Sequence, residues 1–187
     1  RAVKDHNMIK YILDHSKPEN IKFNTDYVEK FWTAYDESKS VKNKNIFIDK
    51  YYLKLLINPF GKDVVKAVKF IRKERKYYET TRNNLRELES LKREISRYLK
   101  KLKTLYPRSI FPDIYFMVGD INLAGVAYDT LVIIYLEAFN KPGISTPKKL
   151  KKQKLEIFSY EDLPAVVIHE FIHIQSNSSD YKKKLLM

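Results

Sequence analysis

The chain has 187 residues and a formal net charge of +13 at pH 7. A hydrophobic content of 44%, with 13% aromatic residues, excludes a disordered chain, and the length allows one domain with a substantial core. Because there are 4 Gly and 7 Pro, we predict long regular elements, mostly helices. The absence of cysteine excludes disulfides and thiolate ligands, so any metal site must use His, Asp or Glu.

The first part of the chain is predicted to be helical. Residues 2–15 have the apolar period of a first helix, and residues 24–26 can cap a second helix that carries an aromatic stripe. Residues 46–57 predict another helix. Residues 62–105 contain neither Pro nor Gly and predict one very long helix, or two helices separated near residues 80–84.

The positive charge favours anionic partners, and association with a membrane surface is one of the alternatives. The basic residues on the long helical region alternate with acidic ones, which is more typical of a solvated helix face than of a nucleic-acid patch. We therefore expect no nucleic-acid binding. No apolar run reaches the length of about 18 residues that a membrane-spanning helix requires, so we expect no transmembrane segment.

The pattern changes after residue 107. Residues 114–118 and 130–136 are short β-branched and aromatic runs, separated by turn signals around Gly125 and Asp129. They predict two adjacent strands of a small sheet. A strand edge can hold an extended peptide by β-augmentation, and Gly125 would allow a close backbone approach; a core sheet packed on a helix is the simpler alternative.

The most informative stretch is His-Glu-x-x-His at residues 169–173, inside an apolar run with a helix start signal at Asp162 and Pro164. Residues four apart lie on one helix face, so His169 and His173 can converge on a single ion. Glu170 is rotated by about 100° and can act as general base on a metal-bound water. Two histidines that meet by chance are the alternative, which the helical context disfavours.

Several segments together resemble an uncharacterised family of predicted zinc-dependent proteases that includes proteins similar to gliding-motility lipoproteins of Gram-negative bacteria. The matching segments are residues 111–119, 124–125, 131–137 and 163–175. The resemblance implies a gluzincin-like Zn²⁺ site with His169 and His173 as ligands and Glu170 as catalytic base. It also implies a cell-envelope location, periplasmic or lipid-anchored, after loss of an upstream lipoprotein signal.

The resemblance further implies a third zinc ligand, a Glu on the helix that follows the motif. The sequence contains no such segment, so we expect this ligand beyond Met187 and a chain truncated at its C-terminus. Asp180 is a weaker candidate, in a predicted loop. Gln175 matches the polar residue that commonly follows the second His of the family. Ser at positions 176 and 179 excludes the metzincin pattern.

We expect an α+β, predominantly helical, zincin-like fold, with long N-terminal helices and a small sheet beside the motif helix. It would form a single domain over residues 1–187, with a helical region at 1–107 and the sheet and motif helix at 108–187. The preferred function is a zinc metallopeptidase acting on a peptide or protein substrate, with Tyr128 or Tyr135 as candidate oxyanion donors. The alternative is a non-catalytic, envelope-associated binding protein that retains a zincin-like fold.

Overall fold

The computed structural model describes residues 2–40, 64–119, 121–141, 144, 147 and 157–185. It is α+β and predominantly helical, as predicted. Among the described residues the helices are α1 (Ala2–Asp14), α2 (Asp26–Ser40), α3 (Val64–Lys73), α4 (Arg75–Thr81), α5 (Asn84–Leu105) and α6 (Leu163–Leu185). None of these helices is both long enough and apolar enough to cross a membrane.

The predictions for the first two helices and for the break near residues 80–84 are confirmed. The helices α1 and α2 occupy the two predicted segments, and the aromatic stripe of α2 is buried through Phe31, Trp32 and Tyr35. The helix predicted at residues 46–57 lies outside the described residues. The predicted break near residues 80–84 is confirmed, because α4 ends at Thr81 and α5 begins at Asn84.

A second break, at Glu74 between α3 and α4, was not predicted. Glu74 has φ −94° and ψ 26°, outside the helical region. No Gly or Pro marks this position in the sequence. Beyond the break, the buried Tyr77 donates a hydrogen bond to the carbonyl oxygen of Glu137, and the buried Tyr78 donates one to that of Gly119. These bonds join α4 to the residues that follow β2 and β4.

The main sheet has four strands: β1 (Phe23–Asn24), β2 (Asp113–Met117), β3 (Gly125–Tyr128) and β4 (Leu131–Tyr135). Their order is β1-β2-β4-β3. The pairs β1–β2 and β2–β4 are parallel, whereas β3 is antiparallel to β4. The two predicted strands are therefore present and adjacent. A shorter parallel pair joins β5 (Phe139–Asn140) to β6 (Phe158–Ser159).

Two strands correct the sequence interpretation. Strand β3 occupies residues that we had interpreted as turns around Gly125, and β1 comes from the region predicted to be only helical. The sheet therefore joins the two predicted regions, because Phe23 aligns with Ile114 of β2. Both strands are too short to show an alternating pattern.

The sheet lies between two apolar layers. Alternate residues of β4, Val132 and Ile134, belong to the main core, which α6 enters through Val167, Phe171 and Ile174. The intervening residues form a second cluster on the opposite face, where Tyr27 of α2 lies. Its buried members are Tyr27, Met117, Ile133 and Tyr135. The helix that carries the His-Glu-x-x-His motif thus packs on one face of the sheet, as predicted.

Candidate functional site

The motif helix has a well-defined start. Ser159 and Asp162 form a capping box, in which the backbone N–H of Ser159 donates to Oδ2 of Asp162 at 3.2 Å. A 3-10 turn, Tyr160–Asp162, follows, and α6 begins at Leu163 with Pro164 in its first turn. The start predicted from Asp162 and Pro164 is confirmed.

The two histidines of the motif lie side by side on the exposed face of α6. Nε2 of His169 and Nε2 of His173 are 2.9 Å apart, and the two rings are nearly perpendicular, at 88°. Two imidazole ligands of a tetrahedral ion, each about 2.0–2.1 Å from the metal, have their nitrogens roughly 3.3–3.4 Å apart. The observed separation differs from this value by a few tenths of an ångström, which a small side-chain rotation would supply.

Glu170 is buried, unlike the two histidines. Its side chain is 7% exposed and lies under the first residue of β3. A Cβ atom on Gly125 would be 2.8 Å from Cγ of Glu170 and 2.9 Å from its Oε1, so only glycine leaves room for this carboxyl group. Burial raises the pKa of Glu170, and the positive potential of His169 and His173 offsets only part of that rise. A raised pKa is typical of a carboxyl group that exchanges protons.

The described residues contain the two candidate metal ligands, His169 and His173, but no third candidate near them. No group of three or more His, Cys, Asp or Glu side chains in the described ranges could hold a metal ion. Asp180 belongs to α6 itself and not to the predicted loop, because the helix continues to Leu185. Its backbone lies about 10 Å further along the helix axis than that of His173. A third ligand beyond Met187 stays a prediction.

Gln175 has a structural contact that the sequence did not reveal. Its Oε1 accepts a hydrogen bond from the backbone N–H of Ile110 at 2.9 Å, and its Nε2 donates to the carbonyl oxygen of Ile110 at 2.8 Å. Nε2 also donates to the carbonyl oxygen of Phe171 at 3.0 Å. The side chain therefore ties the motif helix to the segment that enters β2.

The tyrosines considered as oxyanion donors lie on the other side of the sheet. Tyr135 belongs to the second cluster, away from α6. Val126 packs against the same cluster, and Tyr128 shares its face because side chains two apart on a strand point the same way. Neither tyrosine therefore faces Glu170, so we withdraw both as oxyanion donors for this site.

The strand beside Glu170 is an edge strand of the described sheet. No described strand lies beyond β3 in the order β1-β2-β4-β3. The N–H of Tyr135 donates to the carbonyl oxygen of Ala124 at 3.0 Å, so this pair is hydrogen-bonded. Since bonded and non-bonded pairs alternate along an antiparallel ladder, the N–H and C=O groups of Gly125 and Ala127 point away from β4. The first residue with outward backbone groups, Gly125, is also the residue that lies against Glu170.

Comparison with known proteins identifies one family. The model of the family described as gliding motility protein GldB matches residues 10–187. No curated protein and no solved structure matches the chain. The match supports the resemblance to gliding-motility lipoproteins but carries no assignment of protease activity. Because it covers almost the whole sequence, the chain belongs to the gliding motility protein GldB family, whose lipoprotein character gives it a lipid-anchored location in the cell envelope.

Proposed function

We propose that the chain is a non-catalytic, envelope-associated binding protein that holds an extended peptide segment of its partner along the outer edge of β3. The observation that carries this proposal is the open edge itself. Gly125 and Ala127 direct backbone donors and acceptors outward from a strand that is anchored to β4 on its other side, and no other described strand pairs with them. Main-chain hydrogen bonds to such an edge bind a peptide with little demand on its sequence.

The residues next to the edge support binding more directly than catalysis. A catalytic zinc site normally has three protein ligands and an open position. The described residues offer two candidates, His169 and His173, and no group of three. Membership of a gliding-motility family also fits a protein that works through contacts with other envelope components.

Two proline substitutions test the edge. Ala127→Pro removes an outward N–H and leaves the ladder to β4 intact, whereas Val126→Pro removes an N–H that bonds β4. We expect Ala127→Pro to abolish capture of an immobilised random heptapeptide library at nearly unchanged stability. Val126→Pro is the control and is expected to lower the unfolding free energy by roughly 1–3 kcal/mol, because it leaves a carbonyl group of β4 without its partner. Undiminished capture by a folded Ala127→Pro variant would refute the proposal.

The second candidate is the zinc metallopeptidase, in a zincin-like fold. It is favoured by the 2.9 Å approach of the two Nε2 atoms of His169 and His173 and by the buried Glu170 beside them. A bound zinc ion would supply polarisation of the peptide carbonyl and acidification of the attacking water. Glu170 would accept the proton of that water, for which its raised pKa is suited. The edge of β3 would position the peptide.

Zinc content and hydrolysis distinguish the two candidates. We would measure zinc per chain after dialysis for the wild type and for His169→Ala, then peptide hydrolysis by the wild type and by Glu170→Gln. The enzyme requires about one zinc, lost in His169→Ala, and hydrolysis that is lost in Glu170→Gln while zinc is retained. Peptide capture without zinc-dependent hydrolysis supports the binding protein.

A further inference from the structure

Glu137 is a buried acidic residue that neither candidate function uses. It lies in the 3-10 turn Leu136–Ala138, directly after β4, and its side chain is 1% exposed. Burying a carboxyl group is costly unless hydrogen bonds compensate for the lost water. A residue of this kind in an apolar interior therefore calls for a specific contact.

The contact of Glu137 is with the connection between β2 and β3. Its Oε1 accepts a hydrogen bond from the backbone N–H of Ile121 at 3.2 Å. Ile121 has a φ of 58°, in the left-handed region that β-branched residues rarely adopt, and its side chain is 4% exposed. Such a conformation persists only where the surrounding structure holds it. The hydrogen bond from Ile121 to Glu137 is one of the contacts that do so.

Gly119 makes this contact possible. A Cβ atom at residue 119 would lie 2.8 Å from Oε1 of Glu137 and 3.0 Å from Cδ1 of Tyr135. The backbone on both sides is also held by α4, since Tyr78 donates to the carbonyl oxygen of Gly119 at 2.8 Å and Tyr77 to that of Glu137 at 2.7 Å. Tyr77 thus holds the backbone that carries the Glu137 side chain, and Tyr78 holds the backbone two residues before its partner, Ile121.

The chain leads within four residues from Ile121 to Gly125, which belongs to the candidate site. Three residues after Ile121, the carbonyl oxygen of Ala124 accepts a hydrogen bond from β4, and the next residue, Gly125, lies against Glu170. We propose that Glu137 is a positioning residue: by holding Ile121 it sets where β3 begins and keeps Gly125 over Glu170. This inference rests on the proposed function in one respect, that the edge of β3 is where a partner binds.

Amide hydrogen exchange of the metal-free protein tests the inference. In Glu137→Ala, we expect exchange in peptides covering residues 121–128 to rise by at least about tenfold, with peptides covering residues 88–102 of α5 unchanged. Glu137→Gln keeps an acceptor at Oε1 and is expected to restore exchange to within about threefold of the wild type. Asn140→Ala, which removes another buried polar side chain nearby, is the matched control and should leave residues 121–128 unchanged.

Two further variants decide the question if Glu137→Ala does not fold. Glu137→Asp retains the acid but is one methylene too short to reach Ile121. In Gly119→Ala the added Cβ would lie 2.8 Å from Oε1 of Glu137 and displace it. Both are expected to raise exchange in residues 121–128. Unchanged exchange there, or an equal rise in Asn140→Ala, would overturn the inference.

The proposed function is tested separately by peptide binding. Peptide capture should fall in Glu137→Asp and persist in Glu137→Gln. If the wild type captured no peptide, the proposed function would fail while the exchange result still decided the role of Glu137.

Discussion

The contact between Gly125 and Glu170 can be tested by adding a single methyl group. In Gly125→Ala the new Cβ would lie 2.8 Å from Cγ of Glu170, whereas ordinary van der Waals contact begins at 3.4 Å, so the two groups must separate by about 0.6 Å. Overpacking of this kind costs roughly 1–3 kcal/mol. Alanine in a strand without a clash is about 0.5–1 kcal/mol more favourable than glycine. The net loss expected for Gly125→Ala is therefore about 0–2.5 kcal/mol.

The coupling between the two residues is more diagnostic than the net loss. In a Glu170→Ala background the obstructing atoms are absent, so Gly125→Ala should stabilise the protein by about 0.5–1 kcal/mol. The effect of the same substitution should therefore differ by about 1–3 kcal/mol between the two backgrounds. For a chain of this size that difference corresponds to about 2–12 °C in Tm.

The assay is urea unfolding of the wild type, both single variants and the double variant, all in EDTA. Glu170→Gln is the control background, because glutamine has the shape of glutamate and should keep the full penalty of Gly125→Ala. Equal effects of Gly125→Ala in the wild-type and Glu170→Ala backgrounds would mean that Glu170 does not lie against β3.

Two other predictions concern the support of the fold. Burial raises the pKa of Asp36, but hydrogen bonds from Arg82 and Lys39 outweigh this effect and hold the pKa below its usual value. The contribution of Asp36 to the free energy of unfolding is therefore present above about pH 4 and is lost as the pH falls through the folded-state pKa. Asp36→Asn should lower the unfolding free energy by at most about 1 kcal/mol at pH 7, with the difference from wild type vanishing in acid, measured by urea unfolding across pH. Gln175→Ala should cost about 2–4 kcal/mol in the same assay, because it leaves both buried backbone groups of Ile110 unpaired, whereas a loss below about 0.5 kcal/mol would contradict this role.

The sequence predicted the elements whose signals are local. Apolar periodicity located α1, α2 and α6, and β-branched runs located β2 and β4. Strand β3 was missed because Gly125 and Ala127 have low strand propensity and four residues are too few for a pattern. It is a strand because β4 offers a free edge, which is a property of the assembled sheet. The break at Glu74 was also missed, because neither Gly nor Pro marks it.

The candidate site was predictable in its residues and less so in its contacts. Spacing alone places His169 beside His173, and glycine at position 125 indicated a close backbone approach. That the approaching group is Glu170 depends on how α6 crosses the sheet, 45 residues further along the chain. Gln175 meets Ile110 across 65 residues, for which no sequence pattern exists. Glu137 had a weak signal, as an isolated acidic residue in the apolar run that ends β4.

The residues of the motif differ in exposure, so metal binding and peptide binding would involve different parts of the site. His169 and His173 face solvent on α6, whereas Glu170 lies under β3, so a zinc ion and a bound peptide would contact different elements. A binding protein needs only the strand edge, and its affinity for peptide should not depend on zinc. An enzyme must bring the zinc ion and the peptide together at Glu170. Zinc would then change the affinity for peptide, and peptide would change the affinity for zinc by the same factor. Measuring peptide capture with and without zinc therefore distinguishes the two functions even before a cleavable substrate is known.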